Sequence, residues 1–289
     1  MRECNANMSS LNKQVALEVN GEQVSLAGAL LHAKLTGRLQ FLYDALDAAL
    51  IQQAAAQRNI EPTDEELQAA ADEFRAAREL YDTETTEAWL ANHFLSYADW
   101  EALLAHEVVT NKLRDAVTAD QIEPHFAGNR LNYDTAAISE IVVKDEDVAR
   151  ELRAQITDDG ADFHARARAF SLDETTRLAG GYAGLVRRPD MEAEIEAAVF
   201  GAHTDAVLGP FKTDRGWLLV KVERQQRATL DAAMRETVKA ELFAEWLTER
   251  RRKARVRYTL LEAVIAADDQ ESEEETDEAM VAEAAGAEE

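Results

Sequence analysis

The spacing of apolar positions changes character along this chain. Val15, Leu17 and Val19 alternate with smaller or polar residues, Asn20-Gly21 follows, and a second short run ends at Val24. Alternation around Asn-Gly predicts a β-hairpin, because that dipeptide accepts the positive φ of a tight turn. From Leu26 to about Gln57 the period becomes helical, with Leu35, Leu39, Leu42, Leu46 and Leu50 on one stripe, so a long helix is expected to begin after Ser25. Pro62-Thr63-Asp64-Glu65-Glu66 breaks the pattern and opens a second helix to about Leu80, with Thr63 as its cap and Glu66 as the capping-box partner. Helical spacing continues over 86–93 and over 96–118, where Ser96 is the expected cap and Trp100, Leu103, Leu104, Val108 and Leu113 share a face. A short helix over 119–129 closes this part.

After Tyr133 strand-like and helix-like stretches alternate. Residues 136–143, 207–211 and 217–222 read as strands, and 146–158, 163–170 and 191–200 as helices. From Leu230 to about Ala266 a long helix returns, carrying Met234, Val238, Leu242, Trp246 and Leu247 on its apolar stripe. A lone helix cannot hide such a stripe from water, so it is expected to pack on the N-terminal helices. The expected fold class is therefore α+β: a discontinuous all-α domain, from N-terminal helices plus the C-terminal helix, with an inserted α+β domain of about four strands. The boundaries read as a disordered tail over 1–14, helices over 15–132, the inserted domain over 133–226, the returning helix over 227–267 and a disordered acidic tail over 268–289.

Composition narrows the classes of function. The chain has 289 residues, 46% of them hydrophobic, and only 4 Pro, which fits two ordered, helix-rich domains. A formal charge of -25 repels phosphates and argues against nucleic acid or an anionic membrane as the main partner. Residues 268–289 hold eleven acidic side chains and no Lys or Arg, and are too poor in large apolar groups to fold alone. The basic run Glu249-Arg250-Arg251-Arg252-Lys253-Ala254-Arg255 is expected to be a solvated helix face, open to a weak contact with that tail. Cys4 is the sole cysteine, so no intrachain disulfide forms, and it reads as incidental. The first 25 residues lack a basic start followed by an apolar run, and no stretch approaches the roughly 20 apolar residues of a membrane helix. The expectation is a cytoplasmic protein without membrane insertion, cofactor or metal.

The chemistry-bearing pattern lies between Phe170 and Val222. Phe170-Ser171-Leu172-Asp173 is followed by Gly180-Gly181-Tyr182-Ala183-Gly184, Val207-Leu208-Gly209-Pro210-Phe211 and Gly216-Trp217-Leu218-Leu219-Val220-Lys221-Val222. In order and spacing this set resembles a parvulin, the small peptidyl-prolyl cis-trans isomerase domain. Val19-Asn20-Gly21-Glu22-Gln23-Val24-Ser25, a long helix and then Ile60-Glu61-Pro62-Thr63-Asp64-Glu65-Glu66-Leu67 are similar to the helical chaperone module of the PpiC and SurA class of foldases. The resemblance implies an isomerase or folding factor for unfolded, proline-containing polypeptides, with a secretion or peptide-maturation system as a further partner. It also leaves open a non-catalytic holdase or escort.

Carried over by residue, the resemblance places Asp173 at the family's Cys/Asp position, Met191 and Ile195 at the proline pocket and Phe200 at a core aromatic. Glu140, in Ile138-Ser139-Glu140-Ile141-Val142-Val143, and Leu218 stand where the family carries its two histidines. Glu140 and Asp173 are the candidate catalytic groups; Met191, Ile195 and Leu218 are the candidate substrate-binding ones. Glu140 either points to water in a relaxed site or joins Asp173 in an acid pair sharing a proton, which would raise one pKa. His164 and His203 read as exposed or structural. The implied consequence is weak catalysis.

Overall fold

The computed structural model describes residues 13–259. Cys4 and the acidic stretch 268–289 lie outside them, and the C-terminal helix expected to reach about Ala266 stops at Lys253, its expected end beyond 259 lying outside the described residues. The chain divides into two compact units, one holding residues up to 114 and from 244 onward, the other residues 115–243. The first is thus discontinuous in sequence and the second is inserted in it.

The first unit opens with strands β1 (Val15–Val19) and β2 (Glu22–Ser25), an antiparallel hairpin whose turn residues Asn20 and Gly21 take φ of 54° and 89°. Helix α1 (Leu26–Leu35) begins at Ser25, whose hydroxyl accepts the Gly28 N–H. The expected long helix is in fact two. Gly37 adopts φ of 68°, its N–H reaches the Lys34 carbonyl, and Arg38 N–H reaches back to the Ala33 carbonyl. That is a Schellman stop, and helical periodicity alone does not register it. Helix α2 (Gln40–Ala56) then buries Ile51, Ala54 and Ala55, while Leu35 of the expected stripe is left 76% exposed.

Helix α3 (Asp64–Ala77) starts on the predicted capping box: Thr63 N–H donates to Glu66 Oε2 at 2.8 Å, and Glu66 N–H to Thr63 Oγ1 at 3.3 Å. Lys112 locks this start from a distant segment, with Nζ 2.8 Å from Glu66 Oε2 and 2.7 Å from the Glu61 carbonyl. Helices α4 (Thr83–Asn92) and α5 (Tyr97–Thr118) complete a second cluster in which Phe74, Leu80, Leu90, Trp100 and Leu104 are buried together. The basic run near the C-terminus is largely neutralised locally. Arg251 forks onto both oxygens of Asp47, and Arg252 and Lys253 pair with Glu249.

In the second unit, α6 (Ile122–Asn129) and a 3-10 turn, Arg130–Tyr133, lead into a four-stranded antiparallel sheet. Its strands are β3 (Thr135–Val143), β4 (Tyr182–Arg187), β5 (Val207–Thr213) and β6 (Gly216–Gln226), in the order β4-β3-β6-β5. Strand β4 escapes the sequence pattern because it is a short edge strand starting at the glycine motif. Three helices serve the two faces: α7 (Glu146–Thr157) and α8 (Phe163–Phe170) on one, α10 (Ala193–Gly201) on the other, with the short α9 (Glu174–Arg177) between α8 and β4. Alternation along β3 and β6 splits the core accordingly. Ile141, Val143 and Leu219 pack with Ala149, Leu152, Phe163 and Ala167, whereas Ile138, Val142, Leu218, Val220 and Val222 pack with Ile195, Val199 and Phe211. Helix α11 (Ala232–Lys253) contributes Val238 and Leu242 to a third cluster with Ile122, Phe126 and Tyr133. Tyr133 is further tied to α11 through its hydroxyl, which donates to Glu241 Oε2 at 2.5 Å.

Candidate active site

The α10 face of the sheet carries the candidate substrate-binding residues together. Leu218 and Ile195 are buried in its cluster, and Met191, just before α10, is partly buried against it. Leu218 therefore belongs to the buried apolar wall of this face. Phe211, one strand over and register-paired with Leu218, was not singled out in the sequence for this role. Phe200 packs on the rim of the same cluster, with the Arg188 guanidinium 4.1 Å from its ring centroid.

Glu140 belongs to this face by alternation with Ile138 and Val142, and β3 pairs it with Val220 of β6. Asp173 arrives from the other side of β3. After α8 the chain runs beside that strand, the Leu172 N–H donating to the Val142 carbonyl at 2.7 Å and the Val142 N–H to Ser171 Oγ at 3.2 Å. Asp173 then caps α9, accepting from Thr175 N–H at 3.0 Å and from the Thr175 hydroxyl at 2.5 Å.

Neither sequence expectation for Glu140 describes what is found. Its side chain is only 13% exposed, so it does not relax into water, and it meets a guanidinium where an acid pair would set it against Asp173. Between the two carboxylates stands Arg215, from the turn joining β5 and β6. Its Nη2 lies 2.9 Å from Glu140 Oε2 and its Nη1 lies 2.9 Å from Asp173 Oδ2. The guanidinium itself remains 55% exposed. A carboxylate–guanidinium–carboxylate bridge thus occupies the floor, and no signal in the local sequence marks Arg215 as part of it. Gly216 makes the turn possible: at φ of 126°, a Cβ there would meet the Val143 carbonyl at 2.5 Å.

Hydrogen bonding sets the charge state of Asp173. The Thr175 hydroxyl holds its carboxyl below the usual carboxylate range against a smaller opposing effect of burial, with the Thr175 N–H and the Arg215 charge adding to the same direction. This is opposite to the raised pKa of a shared-proton pair. A depressed folded-state pKa contributes stability that is present above the unfolded value near 4 and is lost as pH falls through the folded value. The melting temperature of the D173N variant should therefore approach that of the wild type as pH drops below about 4. Parallel melting curves from pH 6 to pH 2 would show that the carboxylate contributes nothing.

His164 and His203 lie away from this cluster. Together they line a cavity of about 580 Å³ beside α8, with Phe163, Asp205 and Lys221. His164 has a structural task there, its Nδ1 lying 2.9 Å from the Gly180 carbonyl. Among the described residues no group of His, Cys, Asp and Glu suits a metal ion.

Residues 116–224 match the Rotamase family, the PPIC-type PPIASE domain. A foldase protein PrsA of Caldanaerobacter subterraneus is 25% identical over 60% of this chain and 53% of its own length. A PrsA of Halalkalibacterium halodurans is 26% identical over 81% of this chain and 74% of its own. A chaperone SurA of Methylobacillus flagellatus is 29% identical over 45% of this chain and 33% of its own. The aligned part thus spans about half of the first of these relatives and a third of the last. Residues 116–224 are thus similar to a parvulin-type rotamase domain, and the chain resembles the PrsA and SurA foldases. These relatives correct the expectation of a cytoplasmic protein, since foldases of the PrsA and SurA type are extracytoplasmic. A lone cysteine and the absence of a membrane-crossing helix among the described residues are compatible with either compartment.

Proposed function

We propose that this chain is a parvulin-type peptidyl-prolyl isomerase and folding factor for unfolded, proline-containing polypeptides, slow in catalysis and stronger in holding. The observation that carries this reading is the apolar wall of Met191, Ile195, Phe211 and Leu218 on the same sheet face as the Glu140–Arg215–Asp173 bridge. Prolyl isomerisation rotates an amide over a barrier of about 20 kcal/mol and needs no nucleophile. A site must grip the ring, hold the preceding carbonyl and favour the twisted amide over both planar forms. Here the wall supplies the grip. Leu218, buried in that wall, offers no side-chain hydrogen bond to the amide, which supports a low rate.

Exposed apolar residues near the site favour holding. Leu172 is 56% and Leu178 83% exposed on the segment that carries Asp173, and Tyr182 opens β4 half exposed. Such side chains offer a sequence-tolerant surface to an unfolded chain. Its extracytoplasmic foldase relatives support a client undergoing secretion or maturation. Paired assays test the proposal: acceleration of cis-trans exchange in Xaa-Pro peptides, and suppression of aggregation of a chemically unfolded protein. Suppression at near-stoichiometric protein with modest acceleration is expected. Absence of both would refute it.

A further inference from the structure

Resting on the isomerase reading, we infer that Arg215 is a catalytic residue, supplying the hydrogen-bond donor for the twisted prolyl amide that Glu140 and Leu218 do not supply. In the planar amide the imide nitrogen shares its lone pair with the carbonyl and accepts no hydrogen bond. As the C–N bond rotates, the lone pair localises on nitrogen, which becomes pyramidal and basic. A donor placed at that nitrogen stabilises the twisted state and neither planar one, so it speeds the reaction in both directions. No bond other than a hydrogen bond forms, and no proton needs to leave the guanidinium.

Three features of Arg215 fit this task. Its charge is permanent, and its planar fork carries five N–H donors, of which Glu140 and Asp173 engage one Nη each. Both ion pairs are 2.9 Å long and made to carboxylates only 12–13% exposed, so the plane of the fork is fixed from two sides. The remaining donors belong to a guanidinium 55% exposed, and hence within reach of a bound polypeptide. Glu140 shares the sheet face of Leu218, Val142 and Ile195, the wall assigned to the proline ring. On this view Glu140 and Asp173 are positioning residues: they touch no reacting atom and act by aiming Arg215. The charged donor is held between two anions, which preorganises it before substrate arrives.

The test compares the full-length wild type with R215A and R215K, using exchange NMR on one Ala-Pro peptide to read catalysed exchange and peptide dissociation constant separately. R215A should lose roughly tenfold to a hundredfold in catalysed exchange, the worth of one charge-assisted hydrogen bond made only in the transition state. Its peptide affinity should change by less than about threefold, a split that a purely structural role would not give. R215K, which keeps the charge but not the fork, should fall between. Methylguanidinium added to R215A should restore part of the rate. If R215A binds and exchanges peptide like the wild type, the assignment is overturned while the isomerase reading stands. If the wild type accelerates no exchange, the isomerase reading itself falls and the assignment with it. Unchanged melting curves for R215K exclude misfolding as the cause of its loss.

Discussion

Gly181→Ala should lower the melting temperature of the second unit by on the order of 10 °C, the largest single-residue effect expected outside the apolar core. Gly181 stands at φ of 84°, and a Cβ added there would lie 2.3 Å from the Glu140 carbonyl oxygen and 3.0 Å from the Ala167 side chain. A non-glycine residue in that region costs about 1–3 kcal/mol by itself. Relieving the clash adds about 1–3 kcal/mol, because the obstacle is backbone and cannot swing aside. The damage should reach the site as well, since the Gly181 carbonyl accepts the Glu140 N–H at 2.7 Å and so fixes the strand residue that holds Arg215. Gly184→Ala is the control: it shares a positive φ of 93° but has nothing within 4 Å of the added methyl. Its cost should be limited to the backbone term. Calorimetry on both variants decides the point; equal and small losses would mean that the close approach to Glu140 is not a constraint.

The second large effect is on binding. Met191→Asp should weaken capture of an Xaa-Pro peptide by roughly tenfold to a hundredfold, because an unpaired carboxylate would face the apolar wall, at a cost of about 1–3 kcal/mol. Met191 is partly buried at the edge of its cluster and not at its centre, so the fold should survive the change. Met191→Leu, of similar volume, should bind within about threefold of the wild type. Fluorescence anisotropy with a labelled peptide reads both. Wild-type affinity in M191D would move the polypeptide site away from this face altogether.

How much of this was legible beforehand depends on the range of each interaction. The hairpin turn at Asn20-Gly21 and the Thr63–Glu66 box were readable because both partners lie within a few residues. The glycines of the second unit were readable as a set, since their φ values and close approaches are demands on single residue types. The stop at Gly37 was not, because a regular leucine spacing runs straight across it and glycine within a helix pattern is tolerated. Arg215 was missed for a different reason. In sequence it is one charged residue in a polar turn, Asp214-Arg215, the commonest kind of solvated position. Its partners lie 42 and 75 residues away, and only the sheet register brings them together. The same register accounts for Glu140. Its departure from the family's histidine read as a loss, whereas in the fold it is half of a two-sided clamp on a cation. His164 gained its role through the Gly180 carbonyl, a backbone atom that no side-chain pattern encodes.

Exchange NMR on a panel of Xaa-Pro peptides with substoichiometric wild-type protein shows whether the α10 face of the sheet both binds an Xaa-Pro segment and slowly turns its amide. Cis and trans peptide signals should exchange faster than in free peptide, with perturbed protein resonances confined to Met191, Ile195, Phe211, Leu218 and their neighbours. Peptide exchange at the uncatalysed rate, with no perturbation on this face, would contradict this reading.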